Sequence, residues 1–257
     1  MSKDNVQGYV RMETHQGITS LEFFHPQSNS LPSNLLHDLA KAFRRLGDDV
    51  ATKVIVLRSA GERSFCAGAS FDELSAIQTE SEGLHFFSGF AHVINAMRHC
   101  SKMIIGRIHG KCVGGGVGLA SAVDYAIAVE GADIKLSELA VGIGPFVVGP
   151  AVERKIGVSA FSQLAIDATM WRNADWARRK GLYAELHNTK EEMDESVSRL
   201  AHTLIHSSPD AMTAMKKIFW KGTEHWDHLL LERAAISGKL ILTEHAKHAI
   251  EKFKRKA

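Results

Sequence analysis

Cysteine, proline and tyrosine are scarce: 3, 5 and 3 residues respectively in a chain of 257. Cys66, Cys100 and Cys112 are odd in number and form no C-x-x-C pair. They supply neither a disulfide framework nor a thiolate metal site, and the pattern fits a reducing compartment. No apolar run approaches the roughly 20 residues that span a bilayer, and Met1–Val6 has no signal-peptide apolar core. A cytoplasmic protein without a membrane partner is expected. A strong charge of one sign is also missing. The net charge is +2, and basic residues are scattered until Lys252-Phe253-Lys254-Arg255-Lys256. That balance gives no broad footprint for DNA or other nucleic acid. The basic tail reads as a solvated helix end or, more sharply, as a contact for a small phosphate. No H-E-x-x-H motif accompanies the 14 histidines, and the pairs His202/His206, His225/His228 and His245/His248 have no matching third ligand. They read as surface histidines, and no metal is expected.

An apolar fraction of 45% beside 23% charged residues is ordinary for a globular chain with a substantial core. Strand-like alternation runs over 17–23, and apolar β-branched stretches over 53–59, 103–109 and 124–129 read as further strands. Helical spacing runs through 35–43, with Asn34 as the expected N-cap, and through 82–99. The result is a repeated β-β-α rhythm and an α/β fold class. Beyond about residue 146 strand signals fade. Segments near 159–168, 173–180, 191–206, 209–221, 225–238 and 243–254 read as helices, with Pro209 opening one of them. The expected organisation is a core over 1–195 followed by a C-terminal helical region over 196–257. Trp171, Trp176, Trp220 and Trp226 suit packing within the chain or between subunits.

Gly114-Gly115-Gly116-Val117-Gly118 follows one strand signal. Three consecutive glycines are costly in entropy, so they serve either a tight strand-to-helix turn or the close approach of a ligand such as an oxyanion. No G-x-G-x-x-G dinucleotide pattern and no Lys-Ser or Lys-Thr phosphate motif is completed. Ser64-Phe65-Cys66-Ala67-Gly68-Ala69-Ser70-Phe71 is a second strand end rich in small residues. Glu138 lies in Leu136-Ser137-Glu138-Leu139-Ala140-Val141-Gly142-Ile143, among apolar neighbours. Burial there would raise its pKa and suit it to accept and return a proton, while an ion pair with Arg154 is the structural alternative.

Together these three segments resemble the enoyl-CoA hydratase/isomerase, or crotonase, family over nearly the whole chain. The resemblance implies a crotonase-like spiral of β-β-α units, C-terminal helices that pack on the core and on neighbouring subunits, and a homotrimer or hexamer. It implies an acyl-CoA substrate and no separate cofactor, coenzyme A being part of the substrate. The backbone amides of Ala69 and Gly115 would form an oxyanion hole, with Glu138 as acid and base. Gln27, Cys66, Ala67, Gly68, Phe71 and Gly114 would contact the coenzyme or substrate, and Lys252 would reach a phosphate. Family hydratases carry a first glutamate where this chain has Gly118. One remaining carboxylate leans towards double-bond isomerisation, with hydration of an unsaturated thioester, including a branched one such as methylglutaconyl-CoA, as the alternative. A non-catalytic thioester-binding member is the further alternative. Candidates for a second catalytic group are His85, His92, Asp72 and Glu73. Ser70 and His109 depart from the family's usual aspartate and asparagine, Asp124 reads as structural, and Phe146 followed by Val147 and Val148 suggests a reshaped acyl pocket. Ser137 and the histidines form no nucleophile–base motif.

Overall fold

Residues 8–254 are described by the computed structural model. The segment read for a signal peptide, Met1–Val6, and the tail beyond 254 lie outside them.

A strand buried on both faces needs apolar residues at consecutive positions, and Val54-Ile55-Val56-Leu57 supplies them. Ile55 and Leu57 enter the main core, while Val54 and Val56 join a second cluster with Met193, Val197, Ala201 and Ile205. The chain begins with β1 (Tyr9–His15), β2 (Ile18–Phe24), β3 (Ser30–Leu31) and α1 (Ser33–Asp48). The next turn of the spiral holds β4 (Val54–Ser59), β5 (Ser64–Cys66), β6 (Gly68–Ala69), α2 (Phe71–Ala76) and α3 (Glu80–His99). It is followed by β7 (Met103–Ile108), β8 (Lys111–Val113) and α4 (Gly115–Ala122). The last turn has β9 (Tyr125–Val129), β10 (Ile134–Lys135), a 3-10 turn at Leu139–Val141 and α5 (Gly149–Ile166). Then come α6 (Ala174–Arg179), β11 (Glu185–His187), α7 (Lys190–Ile205), α8 (Pro209–Phe219), α9 (Trp226–Leu240) and α10 (Glu244–Lys254).

The large sheet has the order β1-β2-β4-β7-β9-β11, and a small sheet has the order β10-β8-β5. Apart from the antiparallel β1–β2 hairpin, the pairings within these sheets are parallel. The turns that begin at β4, β7 and β9 each give one strand to the large sheet and one to the small sheet before a helix returns the chain, while β3 of the first turn pairs with β6 in a separate two-stranded sheet. This is the expected β-β-α repeat, and it places the ends of β5, β8 and β10 side by side. No helix among the described residues is long and apolar enough to cross a membrane.

Two local expectations need correction. Pro32, with extended backbone, is the N-cap of α1, and Ser33 rather than Asn34 stands at its boundary. Proline cannot donate a backbone hydrogen bond, which suits it to a helix start. Strand structure also continues past 146, because β11 pairs with β9 at the sheet edge. Its three half-buried residues, Glu-Leu-His, are too few to show a period. The expected boundary at 195/196 falls inside α7, whose apolar face covers the large sheet. Trp220 and Trp226 are buried and meet edge-on with ring centroids 5.8 Å apart. Trp171 stays exposed beside the Lys111 and Lys135 ammonium groups.

Helices α3 and α9 cross closely enough that a Cβ on Gly83 would stand 2.6 Å from the Gly238 Cα. Only hydrogen at both positions permits that approach, which brings Ser237 of α9 to the wall of the cavity described next.

Candidate active site

The small sheet builds the site because each of its parallel strands is followed by one part of it. Strand β5 leads to Gly68 and Ala69, β8 to Gly114 and Gly115, and β10 to Glu138. Gly68 has φ +86°, and a Cβ there would lie 2.7 Å from the Val113 carbonyl oxygen and 3.3 Å from the Gly115 nitrogen. Glycine is thus required by both backbone conformation and close approach. Gly114 has φ +50°, and its amide donates to the Lys135 carbonyl at 2.9 Å, joining the β8 and β10 ends. Gly115 begins α4. The first amides of a helix have no acceptor in the preceding turn, so this terminus presents donors and the positive end of the helix dipole.

These segments surround a narrow, mainly apolar cavity of about 60 Å³. Ala67, Gly68, Ala69, Phe71, Gly114, Gly115 and Glu138 line it, with Phe87 and Phe90 from α3, and Phe146 and Val148 beyond the 3-10 turn. Glu138 is the one ionisable side chain among these lining residues. Its Oε1 lies where a Cβ on Gly114 would approach to 2.9 Å, so the carboxylate sits directly against the glycine turn. The residue as a whole keeps partial exposure, but Oε2 is out of solvent and has no hydrogen-bond partner among the described residues. Loss of hydration raises its pKa to about 7, because no cation or strong donor compensates the charged form. Arg154 does not pair with it. That guanidinium instead donates to the Phe219 carbonyl and lies 4.0 Å from the Trp220 ring centroid.

Other expected positions fall elsewhere. Cys66 is a buried free thiol whose Sγ accepts from the Gly68 amide at 3.4 Å, and burial pushes its pKa to about 12. It supports the turn and does not line the cavity. Gln27 is exposed, and its Nε2 donates to Asp72 Oδ2 at 2.7 Å. Lys252 is exposed on α10 and lies outside the cavity wall. None of the candidates for a second catalytic group lines the cavity. Asp72 is held by Gln27, Glu73 accepts from both the amide and hydroxyl of Ser33, and His85 and His92 open onto a different cleft. Phe146, Val147 and Val148 line the cavity as the sequence reading expects; that reading missed Ser237, which the contact of its neighbour Gly238 with Gly83 carries to the wall.

At Gly118, the position of the absent first glutamate, a Cβ would stand 2.6 Å from Val148 Cγ1 and 2.7 Å from its Cβ. The space is filled by a β-branched side chain. Among the described residues no group of three His, Cys, Asp or Glu side chains is arranged to hold a metal ion.

A family model described as enoyl-CoA hydratase/isomerase matches residues 13–257. The chain is 28% identical over 211 residues to carnitinyl-CoA dehydratase of Proteus mirabilis (strain HI4320), covering 82% of this chain and 79% of that relative. It is 27% identical over 231 residues to the peroxisomal Delta(3,5)-Delta(2,4)-dienoyl-CoA isomerase of Arabidopsis thaliana, covering 84% and 81%. The crystal structure of an enoyl-CoA hydratase from Bacillus halodurans superposes with TM-score 0.87 at 22% identity, covering 95% of this chain and 99% of that one. This last likeness establishes the shared fold. The match over residues 13–257, on a spiral that gathers two glycine turns and one buried carboxylate, means that the chain belongs to the enoyl-CoA hydratase/isomerase family.

Proposed function

We propose that this enzyme moves a carbon–carbon double bond within an unsaturated acyl-CoA thioester, with Glu138 as its single acid and base. The observation carrying this reading is that Glu138 alone among the cavity-lining residues can titrate. The thioester oxygen would accept hydrogen bonds from the Ala69 and Gly115 amides, which makes the α-carbon acidic and stabilises the enolate. Glu138 would remove a proton from that carbon, and the electrons of the broken C–H bond would shift the double bond. The protonated carboxyl would then return the proton at the γ-carbon. Only a proton and an electron pair move, so coenzyme A enters as part of the substrate. A pKa of about 7 equips one carboxylate for both steps near neutral pH.

Hydration needs a water to be activated and a proton to be delivered, and the occupied space at Gly118 leaves no room for a second carboxylate there. The dehydratase relative makes water addition the reading to test against. Purified protein should convert a trans-3-enoyl-CoA to its conjugated isomer at unchanged mass and add no water to a trans-2-enoyl-CoA. A mass gain of one water from the second substrate would overturn the isomerase assignment. Gly118→Glu should install no hydratase activity. It should destabilise the fold by about 1–3 kcal/mol through the clash with Val148, as overpacked sites do. Thermal melting should show Val148→Ala recovering part of that loss in the double variant.

A further inference from the structure

Helix α3 has two chemically different faces. Phe87 and Phe90 wall the cavity, whereas His85, Gly89 and His92 line a cleft of about 440 Å³ against α1. Its other wall carries His37 and Arg44. The helices meet tightly at its floor, where a Cβ on Gly89 would stand 2.8 Å from Leu36 Cδ1. Three imidazoles and one guanidinium therefore share a single recess that no carboxylate lines. None of these four side chains makes a hydrogen bond or ion pair with any described residue. Elsewhere arginines are neutralised: Arg98, Arg107, Arg172, Arg179 and Arg199 each meet an aspartate or glutamate. Glu73 and Glu82 line an adjoining cleft that shares Ser33 and His85. Glu73 is already engaged by Ser33, and Glu82 caps the start of α3.

We propose that the α1–α3 cleft is a binding site for a phosphate-bearing anion, held by the Arg44 guanidinium and by the imidazoles of His37, His85 and His92. A planar guanidinium fork suits phosphate oxygens, and ring N–H groups complete the donor set. Partial desolvation, and after it the positive neighbours Arg44, His85 and His37, hold the His92 pKa below the ordinary imidazole value. A bound anion reverses that repulsion and draws protons onto the imidazoles. Binding therefore strengthens as pH falls. The anion is either a small free phosphate compound or the phosphate portion of coenzyme A itself.

Calorimetric titration of the full chain with inorganic pyrophosphate tests the site at about pH 6 and about pH 8, on either side of the imidazole range. Binding is expected at the lower pH and should be about tenfold weaker at the higher. Arg44→Gln and His92→Gln should each weaken it about tenfold at the lower pH, the loss of roughly one charge-assisted hydrogen bond. The two sources separate in a kinetic arm. If the cleft takes the coenzyme's phosphates, saturating pyrophosphate and Arg44→Gln both raise KM for acyl-CoA with kcat unchanged. If it takes a separate anion, both leave KM unaltered. Absence of binding at the lower pH, or binding that survives both substitutions, overturns the proposal.

Discussion

Glu138→Gln should lower turnover by about 10²–10⁴-fold, the usual worth of a positioned acid and base, while leaving acyl-CoA binding and the fold in place. The amide keeps the shape of the carboxyl but cannot exchange a proton with the substrate. In the unmodified enzyme kcat/KM should rise with pH along a limb centred near 7, because the carboxylate must be ionised to act as base. The same group makes a thermodynamic prediction of definite sign. Its pKa is raised from an ordinary 4.5 to about 7, so the proton favours the folded chain. Stability from this group is complete below the unfolded value and declines as pH rises through the folded value. The total is on the order of 3 kcal/mol at 1.36 kcal/mol per pH unit. Glu138→Gln should therefore melt at a higher temperature than the parent above pH 7, with the gain shrinking in acid. A variant that retained turnover would remove Glu138 from the chemistry. One that lost both turnover and stability would point to a structural carboxylate.

His109 works in the opposite direction. It is 3% exposed, neither ring nitrogen has a partner among the described residues, and burial with Arg107 and Lys190 nearby lowers its pKa to about 4. A depressed histidine costs stability as pH falls from about 6.5 towards 4. Over that interval the parent chain gains from Glu138 what it loses at His109. The Gln variant loses the first contribution and should be the more acid-sensitive protein.

Much of this site was legible because its chemistry is local. Consecutive glycines after an apolar run, a small-residue turn after another, and a glutamate flanked by leucines are short patterns whose backbone demands can be stated without a fold. The β-β-α rhythm follows from the same strand ends, since each recurs after a similar run, whereas the spiral comes from the family resemblance, because strand order leaves no local pattern. What stayed hidden depends on which faces meet. His85 and Phe87 are two residues apart on α3, yet they open onto different cavities, and only the packing of α1 on one side and α9 on the other separates them. Val148 fills the place beside Gly118 across a separation that no local pattern spans. Strand β11 is legible only through its partner β9, because three residues carry no periodicity of their own.

Asp124 shows how an apparently minor position can govern stability, and Asp124→Ala should destabilise the chain by about 3–5 kcal/mol, the usual cost of leaving a buried ion without its partner. Its Oδ2 accepts from the Ile104 amide at 2.8 Å and lies 2.9 Å from Lys216 Nζ, while Oδ1 accepts from the Trp220 indole at 3.4 Å. The paired side chains are 3% and 7% exposed, so water cannot replace a lost partner. The Asp124 carbonyl also accepts from Lys155 Nζ at 3.2 Å, and burial lowers that lysine's pKa to about 8. Arg154 lines the same recess. Removal of the carboxylate thus leaves Lys216 with only the Lys102 carbonyl at 2.7 Å and several cations without their shared counter-charge. The reverse deletion is milder, since Asp124 without Lys216 keeps its backbone and indole donors. Thermal and denaturant unfolding should therefore rank Asp124→Ala well below Lys216→Met in stability, with Asp124→Asn between them because the amide oxygen still accepts from Ile104. Equal losses for the two deletions would mean that the pair acts as an isolated ion bridge and that the surrounding donors contribute little.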